Sequence, residues 1–146
     1  MRGIHFADVP RGQAKYVTAM HGSVIDYIID VRVGSPTFGE WDSVLLDEAD
    51  RKAVYLSEGL GHAFVALTPE AAVSYLVSGV YDPVMERGVT PLDTDIALRF
   101  PDAAGELLLS PKDLEAPSLS EALEQGILPS WSECLSLYTT LNREVD

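Results

Sequence analysis

The sequence predicts an all-β domain followed by a short helical tail, and three observations carry that prediction. Strand-length runs rich in β-branched and aromatic residues recur through the first half of the chain. Gly and Pro separate many of these runs, as tight antiparallel connections require. A clear helix-start pattern occurs only at Ser118. With 146 residues the chain fits one domain.

Ala14 to Met20 reads as a strand, and His21-Gly22-Ser23 supplies a turn after it. Val24 to Val31 follows, with Val24, Asp26, Ile28 and Asp30 on one face and Ile25, Tyr27, Ile29 and Val31 on the other. A long turn through Gly34-Ser35-Pro36-Thr37-Phe38-Gly39 leads into Trp41 to Leu46. Arg51 to Leu56, Ala63 to Leu67 and Ala72 to Val77 complete the expected strands. Asp102 to Pro117 reads as loop, with Pro101, Pro111 and Pro117 limiting regular structure. Ser118 then caps a helix, with Glu121 as its capping-box partner and Gly126 at its end. A second helix is expected over Ser130 to Asn142. This pattern fits a sandwich or barrel but does not choose among jelly roll, lipocalin-like barrel and immunoglobulin-like sandwich.

Composition narrows the function. The formal charge is −13, from 23 acidic and 10 basic residues, which repels nucleic-acid phosphates and argues against DNA or RNA as partner. An anionic small molecule could be held only where several of the few cations gather. No apolar run is long enough for a helical membrane span. The opening Met1 to Phe6 is too short and mixed for a secretory leader. Cys134 is the sole cysteine, so no internal disulfide can form, and a reducing cytoplasmic location is expected. His5, His21 and His62 are widely spaced and lack the paired spacing of a cupin metal site, so no metal and no other cofactor is expected.

Several stretches go beyond composition. Arg2-Gly3-Ile4-His5-Phe6 is similar to an R-G-[LI]-H-[FY] segment. Gln13-Ala14-Lys15-Tyr16-Val17, followed by Asp30 to Gly39, has the look of a second conserved block. Ser57 to Phe64 resembles an E-G-[FL]-x-H-G-F loop, with Ala63 where glycine is usual. Tyr75, Tyr81-Asp82-Pro83, Glu86-Arg87-Gly88 and Ser110-Pro111-Lys112-Asp113 follow in order. Together these resemble the dTDP-4-dehydrorhamnose 3,5-epimerase family from Arg2 to about Trp131. The resemblance implies a cupin-like jelly roll, or double-stranded β-helix. The β-roll is expected over 1–117 and the helical tail over 118–146.

The reaction implied by the resemblance is epimerisation at C3, C5 or both in a dTDP-linked 4-keto-6-deoxysugar. A base removes a proton beside the C4 ketone, and an acid returns one from the opposite face. A cation or donor stabilises the enolate oxygen between the two steps. His5 suits the base, because imidazole is neutral yet basic near its ordinary pKa of about 6.5. By the family match, Asp113 bonds the far ring nitrogen, Tyr75 is the acid and Lys15 stabilises the enolate. His62 is, by resemblance, a substrate-pocket residue. Arg2 and Lys112 are the cations expected at the nucleotide diphosphate. Tyr81 is the candidate for stacking on thymine, and Glu86 for touching nucleotide or sugar.

Members of the family carry a segment ahead of the R-G-x-H motif, whereas here the motif begins at residue 2. Two expectations follow. An incomplete sheet leaves unpaired edges that a second copy would cover, giving a homodimer. The alternative function is a catalytically silent cupin-like module that binds a ligand or partner.

Overall fold

In a computed structural model describing residues 1–143, the chain forms eight strands in two antiparallel sheets. They are β1 (Arg2–Ala7), β2 (Lys15–His21), β3 (Ser23–Ile29), β4 (Trp41–Asp47), β5 (Ala53–Leu56), β6 (Gly61–Ala66), β7 (Ala72–Val77) and β8 (Glu86–Gly88). The larger sheet runs β4-β3-β6-β1-β8 and the smaller β5-β2-β7. No ladder joins the two among the described residues, so the molecule is a pair of facing sheets rather than a closed barrel. The all-β expectation with a helical tail holds, in the cupin-like arrangement that the resemblance implied. Residues 144–146 of the expected tail lie outside the described residues.

The six strands read from periodicity form at nearly the expected bounds, while β1 and β8 carry no pattern long enough to announce them. β3 stops at Ile29 rather than Val31 because the Asp30 carboxylate leaves the ladder to organise the following turn. It accepts hydrogen bonds from Arg32 Nη2 at 2.7 Å, Ser35 Oγ at 2.5 Å and Thr37 Oγ1 at 2.6 Å. Burial pushes this carboxyl up, but the bonds from Arg32, Ser35 and Thr37 outweigh it and bring its pKa down to about 2.

The larger sheet packs on both faces. Val24 of β3 and Leu46 of β4 meet Val17, Ala19 and Leu56 of the smaller sheet. On the reverse face Ile4, Phe6, Tyr27, Ile29, Ala63 and Val65 lie beneath Val89, Ile96, Leu119 and Ala122 of the later chain. A fully buried side chain such as Phe6 stabilises by about 1.5–3 kcal/mol. The Tyr27 ring meets Trp41 and Phe100 edge-on, each at 5.8 Å, and its hydroxyl donates to the Arg99 carbonyl. That contact pins the long connection after β8 to the sheet.

The loop expected over Asp102 to Pro117 is corrected by the structure. It contains a 3₁₀ turn at Asp102–Ala104 and a one-turn helix, α1 (Pro111–Leu114). Pro111 begins α1 rather than breaking it, since the first helical position needs no N–H partner. The Ser110 hydroxyl caps the turn by accepting from the Asp113 N–H. The helix α2 (Leu119–Glu124) begins at the expected Ser118–Glu121 capping box. It gives way to Gly126, whose φ of +66° is the left-handed conformation that glycine tolerates. The last helix, α3 (Trp131–Arg143), lies against the Asp30 turn, with the Arg32 guanidinium 4.4 Å from the Trp131 ring centre.

Candidate active site

Strand alternation aims His62 and Phe64 of β6 into the space between the sheets, while Ala63 and Val65 enter the opposite core. On β1 the same rule sends Ile4 and Phe6 into that core and His5 between the sheets. Strict alternation would then turn Arg2 away from His5. A shift in register between Arg2 and His5 against β6 brings both to the same side. Gly3, inside this irregularity, approaches Ala63 so closely that a Cβ there would lie 2.5 Å from the Ala63 Cβ. Ala63, where the resemblance expects glycine, faces packed core and does not line the cavity described next.

The resulting cavity has a volume of about 420 Å³. Arg2, His5, Lys15, His62, Tyr75, Tyr81, Glu86 and Lys112 all line it, and Asp113 sits directly behind His5. The nine residues named from sequence thus converge on one place. His5 and Tyr75 enter from different sheets, on β1 and β7, and Lys15 enters from β2 beside Tyr75's strand. Tyr75, Tyr81 and Lys112 are exposed and form the open side, whereas Lys15 and His62 are buried on the floor.

His5 Nε2 donates to Asp113 Oδ1 at 2.6 Å. Burial pulls the His5 pKa below its ordinary value, against the opposing pull of the Asp113 hydrogen bond and of the Asp113 and Glu86 charges. For Asp113, burial pushes upward, but hydrogen bonds from Ser110 and His5 bring its carboxyl below the usual range. Near neutral pH the pair is therefore a neutral imidazole held by a carboxylate, which leaves Nδ1 as the basic nitrogen. Burial likewise lowers the Lys15 pKa, with Glu86 and Asp26 opposing it through space.

Four contributors were not read from sequence. Gln13, Phe64 and Val77 line the cavity, and Gln13 Nε2 donates to the Gly79 carbonyl at 2.9 Å. Asp26 is fully buried and accepts from His62 Nε2 at 2.7 Å. Its signal was present in the alternation of β3, which sets a carboxylate between Val24 and Ile28 on an apolar face. Such a group requires a buried partner. His21, by contrast, is exposed, pairs with Glu48 at 2.6 Å and takes no part in the cavity lining. Among the described residues no three His, Cys, Asp or Glu side chains are grouped as a metal site. No helix among them is long and apolar enough to cross a membrane.

Known proteins resemble the chain over most of its length. The profile of the dTDP-4-dehydrorhamnose 3,5-epimerase family matches residues 1–121. A dTDP-4-dehydrorhamnose 3,5-epimerase from Mycolicibacterium smegmatis is 52% identical over 99% of this chain and 71% of its own length. The crystal structure of NovW, a 4-keto-6-deoxy sugar epimerase from the novobiocin gene cluster of Streptomyces spheroides, is 54% identical. It superposes with a TM-score of 0.88 over 91% of this chain, which spans 66% of NovW. ChmJ, a 3′-monoepimerase from Streptomyces bikiniensis solved with dTDP-quinovose, is 44% identical with a TM-score of 0.92, over 95% of this chain and 70% of ChmJ. The chain belongs to the dTDP-4-dehydrorhamnose 3,5-epimerase family.

Proposed function

We propose that the chain epimerises a dTDP-linked 4-keto-6-deoxyhexose at C3, C5 or both, in the biosynthesis of a deoxysugar. His5 Nδ1 takes the proton beside the C4 ketone, and Asp113 fixes the tautomer and stabilises the imidazolium that forms. Lys15 stabilises the enolate oxygen from the cavity floor, where poor solvation strengthens its field. Tyr75 returns a proton from the opposite wall. Arg2 and Lys112 take the diphosphate, Tyr81 stacks on the thymine, and Glu86 and His62 hold the nucleotide or sugar.

The observation that carries this reading is the shared cavity. A base with its orienting carboxylate, a phenol from the facing sheet and a buried ammonium line one hexose-sized space. A silent binding module needs cations for phosphate but has no use for a buried His–Asp pair opposite a tyrosine. The test is incubation with the dTDP-4-keto-6-deoxyglucose substrate in heavy water. Deuterium at C3, at C5 or at both supports the reading and tells which carbons react. Binding of dTDP without any deuterium entry would leave the silent module as the function.

We also infer a homodimer working in the cytoplasm. Tyr55, Tyr16 and Leu76 form a cross-strand row of exposed apolar side chains on the smaller sheet, a surface that a second copy would cover. Sedimentation as a monomer at micromolar concentration would contradict it. The single buried Cys134 suits a reducing compartment.

A further inference from the structure

Among the described residues that line the main cavity, only Phe64 and Val77 lack a polar atom in the side chain. Phe64 is tied into the core between the sheets, whereas Val77 belongs to neither core and keeps 40% of its surface exposed. Strand alternation puts Val77 on the inner face of β7, two positions beyond Tyr75. Its partner across the β2–β7 ladder is Lys15, so the two side chains stand side by side, with Cβ atoms about 5 Å apart. The backbone immediately after Val77 is firmly held. The Ser78 N–H donates to the Ala14 carbonyl at 3.1 Å, and the Ala14 N–H donates to Ser78 Oγ at 2.9 Å. Gln13 Nε2 then holds the Gly79 carbonyl. An aliphatic side chain fixed in place yet uncovered, inside an otherwise polar cavity, matches an apolar group on the ligand.

We propose that Val77 takes the C6 methyl group of the sugar, and so selects 6-deoxyhexoses over hexoses that retain a hydroxyl on C6. The inference rests on the proposed function, and in particular on Lys15 meeting the C4 oxygen. The ring carbons on either side of C4 are C3, which bears a hydroxyl, and C5, which bears the methyl. The surroundings of Lys15 differ in the same way. His62, which shares the cavity floor, can hydrogen-bond a hydroxyl, whereas Val77 can only pack. A methyl group on Val77 removes apolar surface from water on both partners. A hydroxyl in that place gives up water and gains no hydrogen bond from Val77. An enclosed apolar pocket rejects an added hydroxyl by about a hundredfold, and Val77 is open on one side, so about tenfold is expected here.

Two nucleotide sugars isolate this contact. dTDP-quinovose and dTDP-glucose differ by a single oxygen, on C6, and neither carries the ketone, so both can be titrated at equilibrium without turnover. Calorimetry on the full chain compares them, with dTDP alone as the reference for the nucleotide end. The wild type should bind dTDP-quinovose about tenfold more tightly than dTDP-glucose. Val77→Thr keeps the shape and β-branching of the side chain and adds a hydroxyl. It should bring the ratio to about twofold or less while leaving the affinity for dTDP unchanged, which also shows that the variant is folded. Equal affinities of the wild type for the two sugars, with dTDP bound, would overturn the inference and leave the functional reading standing. A preference that survives intact in Val77→Thr would overturn it as well, because another wall would then be sensing C6. Failure of the wild type to bind dTDP would overturn the functional reading, and the inference with it.

Discussion

His5 and His62 are partners across the β1–β6 ladder, and each imidazole donates from Nε2 to its own aspartate, Asp113 at 2.6 Å and Asp26 at 2.7 Å. The two pairs differ in what holds them. Asp113 is delivered by the capped turn of α1 from more than a hundred residues away, whereas Asp26 belongs to β3 of the same sheet. Removing each ring should therefore have different consequences. With His5 as the proposed base, His5→Asn should lower kcat by about 10²–10⁴ with little change in affinity for dTDP. His62→Leu should instead unfold more readily, by about 3–5 kcal/mol, because it strands a buried Asp26 charge. Steady-state kinetics and denaturant unfolding of both variants separate these outcomes, and equal kcat losses with equal stabilities would contradict them.

The pH profile follows from the burial of His5. Because burial outweighs the Asp113 and Glu86 charges, His5 titrates below its ordinary 6.5, and kcat/KM should rise with pH through a pKa below that value and level off near neutrality. Asp113 acts against burial, so Asp113→Asn should shift the rising limb to still lower pH while reducing kcat/KM by about 10²–10⁴. Stability has the matching sign. The unfolded chain protonates His5 as pH drops through 6.5 while the folded site resists, so acidification favours unfolding until the folded pKa is passed. A His5→Asn variant should lose less stability than wild type between pH 7 and pH 5, as read by urea unfolding.

Six strands and both principal helices were legible because their periodicity or capping is local. β1 and β8 were not, since RGIHFA and ERG are too short or irregular to show a period and become strands only by pairing with each other and with β6. α1 was hidden by Pro111, which counts against a helix in its interior and favours one at its first position. The site was legible through motif resemblance rather than through physics. Nothing in the spacing of His5 and Asp113, separated by 108 positions, announces a 2.6 Å contact. Asp26 shows the reverse case. It belongs to no matched motif, yet a carboxylate between Val24 and Ile28 already required a buried donor.

Asp30 offers a test of the fold that is independent of catalysis. Its carboxyl drops from 3.8 to about 2 in the folded chain, held by Arg32, Ser35 and Thr37. A depressed carboxyl contributes stability that is present above its unfolded pKa and lost as pH falls through the folded one. The contribution is about 2 kcal/mol by linkage. Asp30→Asn should be less stable than wild type by roughly that amount at pH 7, and the gap should close between pH 4 and pH 2. Calorimetric scans across that range provide the measurement, and a gap independent of pH would mean that the turn gains nothing from the charge.

Lys15 should display opposite effects on activity and stability. Its ammonium sits on the cavity floor at 9% exposure, and burial lowers its pKa despite the charges of Glu86 and Asp26. A lysine with a depressed folded pKa binds its proton less tightly than in the unfolded chain, so at neutral pH its charge favours unfolding. Lys15→Met keeps the length of the side chain and removes that charge, and should raise stability by on the order of 1 kcal/mol. Under the role proposed for Lys15 at the enolate oxygen, the same change should cost about 3–4 kcal/mol of barrier, or 10²–10³ in kcat. Thermal melts and single-turnover rates on one preparation settle the matter. A variant that loses both activity and stability would show that the ammonium is held for packing, and that some other group meets the developing negative charge.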